Sequence, residues 1–127
     1  REVEPNLPAK STGSETTFEK DILNVQTLVS HVAELSEGIA TSLKELARPA
    51  RTITLKVRYK DFTTITRSKT LDRFTDEATV ISEVATQLLS ATKAGEIPVR
   101  LIGVSASSLW SEEEHEQLWF DFYLPYS

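Results

Sequence analysis

The chain predicts an α+β fold: a four-stranded sheet with two helices packed on one face, in the order βαββαβ. Three observations lead there. Residues 51–59 alternate, with Ile53, Leu55, Val57 and Tyr59 on one side of an extended strand and Thr52, Thr54, Lys56 and Arg58 on the other. Residues 22–46 instead place Ile22, Val25, Leu28, Val29, Val32, Leu35, Ile39, Leu43 and Leu46 in steps of three and four, which makes one wide stripe on a long helix. Ala78, Ile81, Val84, Ala85, Leu88 and Leu89 repeat that spacing on a shorter one. Each helix has a single apolar stripe to bury, so both belong on the same side of the sheet. The other side is left open.

Taken in order, residues 1–9 carry two prolines and no periodicity and read as an extended linker. Residues 10–18, KSTGSETTF, suit a short polar strand, with Gly13 allowing a bulge or the close approach of another backbone, or else a loop glycine. Asp21 is the expected N-cap of the first helix, and Pro49 ends it by barring Arg48 from helical geometry. Gly38, costly inside a helix, is expected to mark a close crossing. His31 falls one step off the stripe and reads as a boundary residue rather than a ligand.

Lys60 and Asp61 form a tight connection, and residues 62–70 are again rich in strand formers. Phe62 and Ile65 fall on opposite sides of a strict alternation, so one is misplaced or the strand is kinked. Thr75 is the expected cap of the second helix, with Asp76 and Glu77 in its first turn and Gly95 at its end. Residues 99–109, VRLIGVSASSL, form the fourth strand, followed by an acidic loop at 111–116 and the apolar segment QLWFDF at 117–122.

At 127 residues, 39% hydrophobic and 26% charged, this is the make-up of one globular domain, too short for a polymerase, a kinase or a two-domain enzyme of usual size. There is no cysteine, hence no disulfide frame and no thiolate metal site. No apolar run reaches the roughly 18–20 residues of a membrane span. Methionine is absent even from the first position, and the chain is expected to be a piece of something larger.

The net charge of -5 argues weakly against nucleic acid as a partner. The average hides an asymmetry. Residues 51–73 hold seven cations (Arg51, Lys56, Arg58, Lys60, Arg67, Lys69, Arg73) against Asp61 and Asp72, while the acids concentrate in the first half of the chain, at Glu2, Glu4, Glu15, Glu19, Asp21, Glu34, Glu37 and Glu45, and near the C-terminus, at Glu112, Glu113, Glu114 and Glu116.

No catalytic constellation is present. His31 and His115 have no paired nucleophile and no HExxH spacing, and the glutamates at 112–116 lack ligand spacing and read as a solvated loop. The polar face of the sheet is the better candidate. Hydroxyls, backbone amides and a few cations on a rigid platform can hold phosphates without reading bases, although a merely solvated strand face has the same composition.

Together these segments resemble the C-terminal little-finger domain of Y-family translesion DNA polymerases, its bacterial members most closely. The residues that carry it are Lys10, Ser11, Gly13, Glu15, Thr17 and Phe18 in KSTGSETTF, the hairpin LKVRYKDFTTITRSKTL, and VRLIGVSASSL. A proline-bearing linker precedes them, as where the family joins its thumb to this domain. The resemblance implies a polar sheet face lying in the major groove of primer-template DNA, with contacts from Lys10, Ser11, Gly13, Ser14, Thr64, Thr66, Arg67, Ser68, Arg100 and Ser105. Some relatives carry arginines where this chain has Ser14, Leu101 and Ser105, which implies a grip leaning on hydroxyls and amides.

The resemblance also implies division into a linker (1–9), a DNA-binding domain (10–110) and an acidic loop with a sliding-clamp-binding tail (111–127). In that tail Gln117, Leu118, Phe120 and Phe122 fit the clamp peptide; the alternative is a fifth edge strand packed on its own domain. Expected partners are therefore primer-template DNA and the sliding clamp, in the bacterial cytoplasm and without a membrane. Neither a catalytic residue nor a cofactor is expected in this stretch. The magnesium-binding carboxylates of the catalytic palm would precede residue 1.

Overall fold

A computed structural model describes residues 11–110 of the chain. Six elements follow in the expected order: β1 (Ser11–Ile22), α1 (Val25–Leu46), β2 (Ala50–Tyr59), β3 (Thr64–Thr75), α2 (Ala78–Leu89) and β4 (Val99–Ser107). The strands form one antiparallel sheet in the order β1-β4-β2-β3. The predicted α+β architecture is correct. β4 and β2 are central, while β3, the second arm of the hairpin, is an edge.

Both helices lie on one face, α1 over β1 and β4 and α2 over β2 and β3. Their stripes meet the alternating apolar residues of the two central strands. Leu28, Val32, Ile39 and Leu43 of α1 and Ile81, Val84, Ala85 and Leu89 of α2 are buried against Ile53, Leu55 and Val57 of β2 and Ile102, Val104 and Ala106 of β4. Fully burying each of the Val, Leu and Ile side chains among them contributes about 1.5–3 kcal/mol.

The element ends depart from the sequence reading, each for a local reason. β1 runs four residues beyond 18, so Asp21 belongs to a strand and holds Arg100 rather than capping α1. The cap is Asn24, whose side chain accepts from the Thr27 N–H at 3.0 Å. α1 stops at Leu46 as expected, where Ala47 turns left-handed and its N–H and that of Arg48 bond back to Lys44 and Leu43. Gly38 is exposed, and a methyl there would meet nothing within 4 Å, so it marks no crossing.

α2 begins after Glu77 rather than at Thr75, whose hydroxyl accepts from the Glu77 N–H. It ends at Leu89, where the backbone tightens with the Ala91 and Thr92 N–H groups donating to Leu88 and Leu89, and the Ser90 and Thr92 hydroxyls donate to the carbonyls of Gln87 and Leu89. Gly95 (φ +94°) is therefore not the helix cap; it lies in the following turn, against Val25. Of the two residues that broke the alternation, Phe62 is the misplaced one: it sits in the turn itself with φ 71°, and β3 starts only at Thr64. Ile65 then takes the helix-facing position opposite Val57.

Candidate nucleic-acid interface

Residues directly opposite in an antiparallel sheet point to the same face, so the strand register lays out the side away from the helices. It is a grid of four rows running across β1, β4, β2 and β3. The rows are Ser11–Ser107–Thr52–Thr70, Gly13–Ser105–Thr54–Ser68, Glu15–Gly103–Lys56–Thr66 and Thr17–Leu101–Arg58–Thr64. No helix covers it. Hydroxyls dominate, and several are tied to one another: Thr52 Oγ1 lies 3.0 Å from Thr70 Oγ1 and 2.9 Å from Ser108 Oγ.

Two glycines leave gaps among the side chains on the β1–β4 side. A methyl on Gly13 would come within 2.9 Å of Ser105 Cβ, and one on Gly103 within 3.0 Å of Glu15 Cβ. Of the alternatives at Gly13, the close approach is the one present, and its neighbour is β4. Between these glycines and β2 lies a shallow depression of about 270 Å³, bordered by Glu15, Thr54, Lys56 and Ser105.

The cations are fewer than the charge of the hairpin suggests. Of the seven in residues 51–73, the grid holds only Lys56 and Arg58. Lys56 Nζ is 3.2 Å from Glu15 Oε1, and Arg58 Nε donates to Thr64 Oγ1 at 2.8 Å. Arg67 and Lys69 pair opposite Leu55 and Ile53 and so belong to the helix side, while Arg51 stacks on Phe74. Arg67 borders a separate cavity of about 440 Å³ with Tyr59, Ile65, Lys93 and Ile97.

The register sorts the residues expected to bind DNA. Ser11, Gly13, Ser105, Thr64, Thr66 and Ser68 come together on the open face. Ser14, opposite Val104, and Arg67 lie on the other face at the two edges of the sheet. Arg100 occupies an irregularity in β4, where its guanidinium reaches Asp21 at 3.2 Å and stacks over the exposed Phe62 ring at 4.4 Å. Lys10 and the tail residues Gln117, Leu118, Phe120 and Phe122 lie outside the described residues. Glu15, Thr17, Thr70 and Ser107 join the face although they were not among the candidates; the pairing of the strands, which one sequence does not display, is what finds them.

At the hairpin tip the Thr63 N–H and hydroxyl hold the Asp61 carboxyl below its ordinary 3.8. Among the described residues no group of three or more His, Cys, Asp or Glu could hold a metal ion, and no helix is long and apolar enough to cross a membrane.

Residues 9–119 match the impB/mucB/samB family C-terminal domain, and the chain belongs to that family, whose fold is the little finger of Y-family DNA polymerases. It is similar to bacterial DNA polymerase IV. Identity to the Clostridium perfringens protein is 39% over 124 residues, covering 95% of this chain and 34% of the relative. Identity to the Listeria monocytogenes protein is 36% over 107 residues, covering 84% and 30%. The chain thus spans about a third of the length of these relatives.

Among solved structures, it resembles a little finger domain of PolIV in complex with the beta-clamp processivity factor, with a TM-score of 0.65 at 18% identity over 80% of this chain and 91% of that one. A DinB family error prone DNA polymerase from Sulfolobus solfataricus gives 0.65 at 17% identity, over 78% and 29%. At these identities the likeness establishes the fold. The little-finger reading of the sequence is borne out.

Proposed function

We propose that the open sheet face is a sequence-independent grip on the phosphates of primer-template DNA, lying in the major groove. The observation that carries this is the grid itself: a face of hydroxyls and backbone that no described helix covers, with Lys56 and Arg58 on its central strand β2. Such a surface suits a polymerase working on distorted templates, because hydroxyls and cations can hold phosphate oxygens whatever the bases. Ser11, Gly13, Thr64, Thr66, Ser68 and Ser105 act from the grid, Arg100 extends it, and Ser14 and Arg67 contribute from the margins, while Lys10 is assigned to the grip from the resemblance alone.

The chain does no chemistry in this reading. Nucleotidyl transfer, with its magnesium-binding carboxylates, is assigned to other parts of a polymerase of which this is the DNA-holding domain, acting in the bacterial cytoplasm. Titrating labelled duplex DNA with the chain tests the grip. Binding that is weakened alike on all sequences by Lys56→Gln and Arg58→Ala supports it, and binding indifferent to both changes refutes it.

A second reading, favoured by the similar domain solved with the beta clamp, makes the tail a clamp-docking peptide. Leu118, Phe120 and Phe122 would fill an apolar pocket while Gln117 fixes register. Changing Gln117, Leu118 and Phe120 together to alanine should then abolish clamp binding and spare DNA binding. Unchanged clamp affinity would assign the segment to packing on its own domain.

A further inference from the structure

We infer that β1 carries built-in counter-ions that hold the affinity of the sheet face for DNA in check, with Glu15 and Asp21 occupying the places that phosphate oxygens take when DNA binds. This rests on the phosphate-binding reading above. Two independent contacts repeat one arrangement. Glu15 Oε1 lies 3.2 Å from Lys56 Nζ, and Asp21 Oδ1 lies 3.2 Å from Arg100 Nε, with Oδ2 at 3.5 Å from the same guanidinium. Both carboxylates come from β1, and both partners are cations placed on or beside the open face.

Gly103 makes the first contact possible. It stands between Glu15 and Lys56 in the grid, and having no side chain it lets the two reach across β4. A methyl there would press against Glu15 Cβ at 3.0 Å. The pair remains open to solvent, with side-chain exposures of 50% for Glu15 and 36% for Lys56, so a phosphate can displace the carboxylate. Glu15 cancels one of the two positive charges of the grid. Arg58 donates to the neutral Thr64 hydroxyl, and among the described residues no carboxylate offsets it.

The arrangement has a use. A domain that must follow a moving duplex needs contacts that exchange quickly, and a carboxylate competing for each cation lowers the free energy released when a phosphate arrives. Exposed pairs of this kind are individually weak. As parts of a surface facing a polyanion they also repel it, and that repulsion is screened by salt.

The test uses the whole chain and a labelled duplex, measured by fluorescence anisotropy across a range of salt. Glu15→Gln is expected to bind about two- to fivefold more tightly at low salt, the scale of one exposed ion pair. It should also steepen the salt dependence by up to about 0.9 log units of affinity per log of salt, because Lys56 now releases a counterion from DNA. Lys56→Gln should cost more affinity in the Glu15→Gln background than in the unaltered chain. Asp21→Asn should act in the same direction; should it lower the melting temperature, the exposed Glu15 variant alone decides. Equal or weaker binding by Glu15→Gln overturns this inference while leaving the phosphate grip standing. Failure of the unaltered chain to bind duplex DNA overturns the grip and this inference together.

Discussion

Gly13 of β1 and Ser105 of β4 face each other so closely that a methyl on Gly13 would lie 2.9 Å from Ser105 Cβ. Gly13→Ala must push the edge strand away from β4 or force Ser105 aside. The expected loss is about 1–3 kcal/mol of stability, the usual cost of overpacking, read from urea unfolding. An unchanged midpoint would mean that the strand accommodates the methyl freely.

Gly38 gives the opposite expectation. It lies on the exposed side of α1 with no neighbour within 4 Å of an added Cβ. Gly38→Ala should therefore stabilise the domain by about 0.5–1 kcal/mol, since alanine loses less conformational entropy on entering a helix. A destabilised variant would point to a packing role that α1 conceals.

The fold was legible in the sequence because its signals are local and redundant. Strict alternation in β2 and the two helical stripes each specify a buried face, and one uncovered face then follows. The element ends were not legible. Asp21 and Asn24 are both good caps, and only the pairing of Ile22 with Val99 shows that β1 has not yet ended at Asp21. Gly95 looked like a helix stop, but α2 ends before it, where the backbone tightens and the Ser90 and Thr92 hydroxyls donate to Gln87 and Leu89.

The site was legible by composition and only partly by position. The hairpin's cations counted as one cluster in sequence, yet alternation sends Arg67 and Lys69 to the helix side. Whether a residue of β3 faces out depends on the length of the turn before it. With Phe62 inside the turn instead of in the strand, odd-numbered residues from Ile65 to Lys69 face the helices.

That register predicts unequal effects of two arginines. Arg58→Ala should weaken duplex binding about three- to tenfold on every sequence, as expected for the loss of one charge-assisted phosphate contact. Arg67→Ala should change it by less than about twofold, the size of a marginal charge effect. Parallel anisotropy titrations compare them directly, and a larger effect of Arg67 would place the contact surface at the β3 edge.

Asp61 supplies a pH dependence. Its folded pKa is depressed, first by the Thr63 N–H and then by the Thr63 hydroxyl. A depressed carboxyl stabilises the fold above its unfolded pKa, and that contribution is lost as pH falls through the folded value. Asp61→Asn keeps an acceptor for the turn but does not titrate. The melting temperature of the unaltered chain should therefore exceed that of the variant at neutral pH, and the gap should narrow below about pH 4. A gap that stays constant across this range would remove the titration of Asp61 from the account.

The central claim is that the open face binds DNA through its phosphates, and the salt dependence of duplex binding tests it most directly. The affinity of the whole chain should fall linearly on a log–log plot against salt, with a slope of about -2 to -4 for two to four phosphates neutralised and the same slope on unrelated sequences. A flat response, or a slope that depends on sequence, would contradict it.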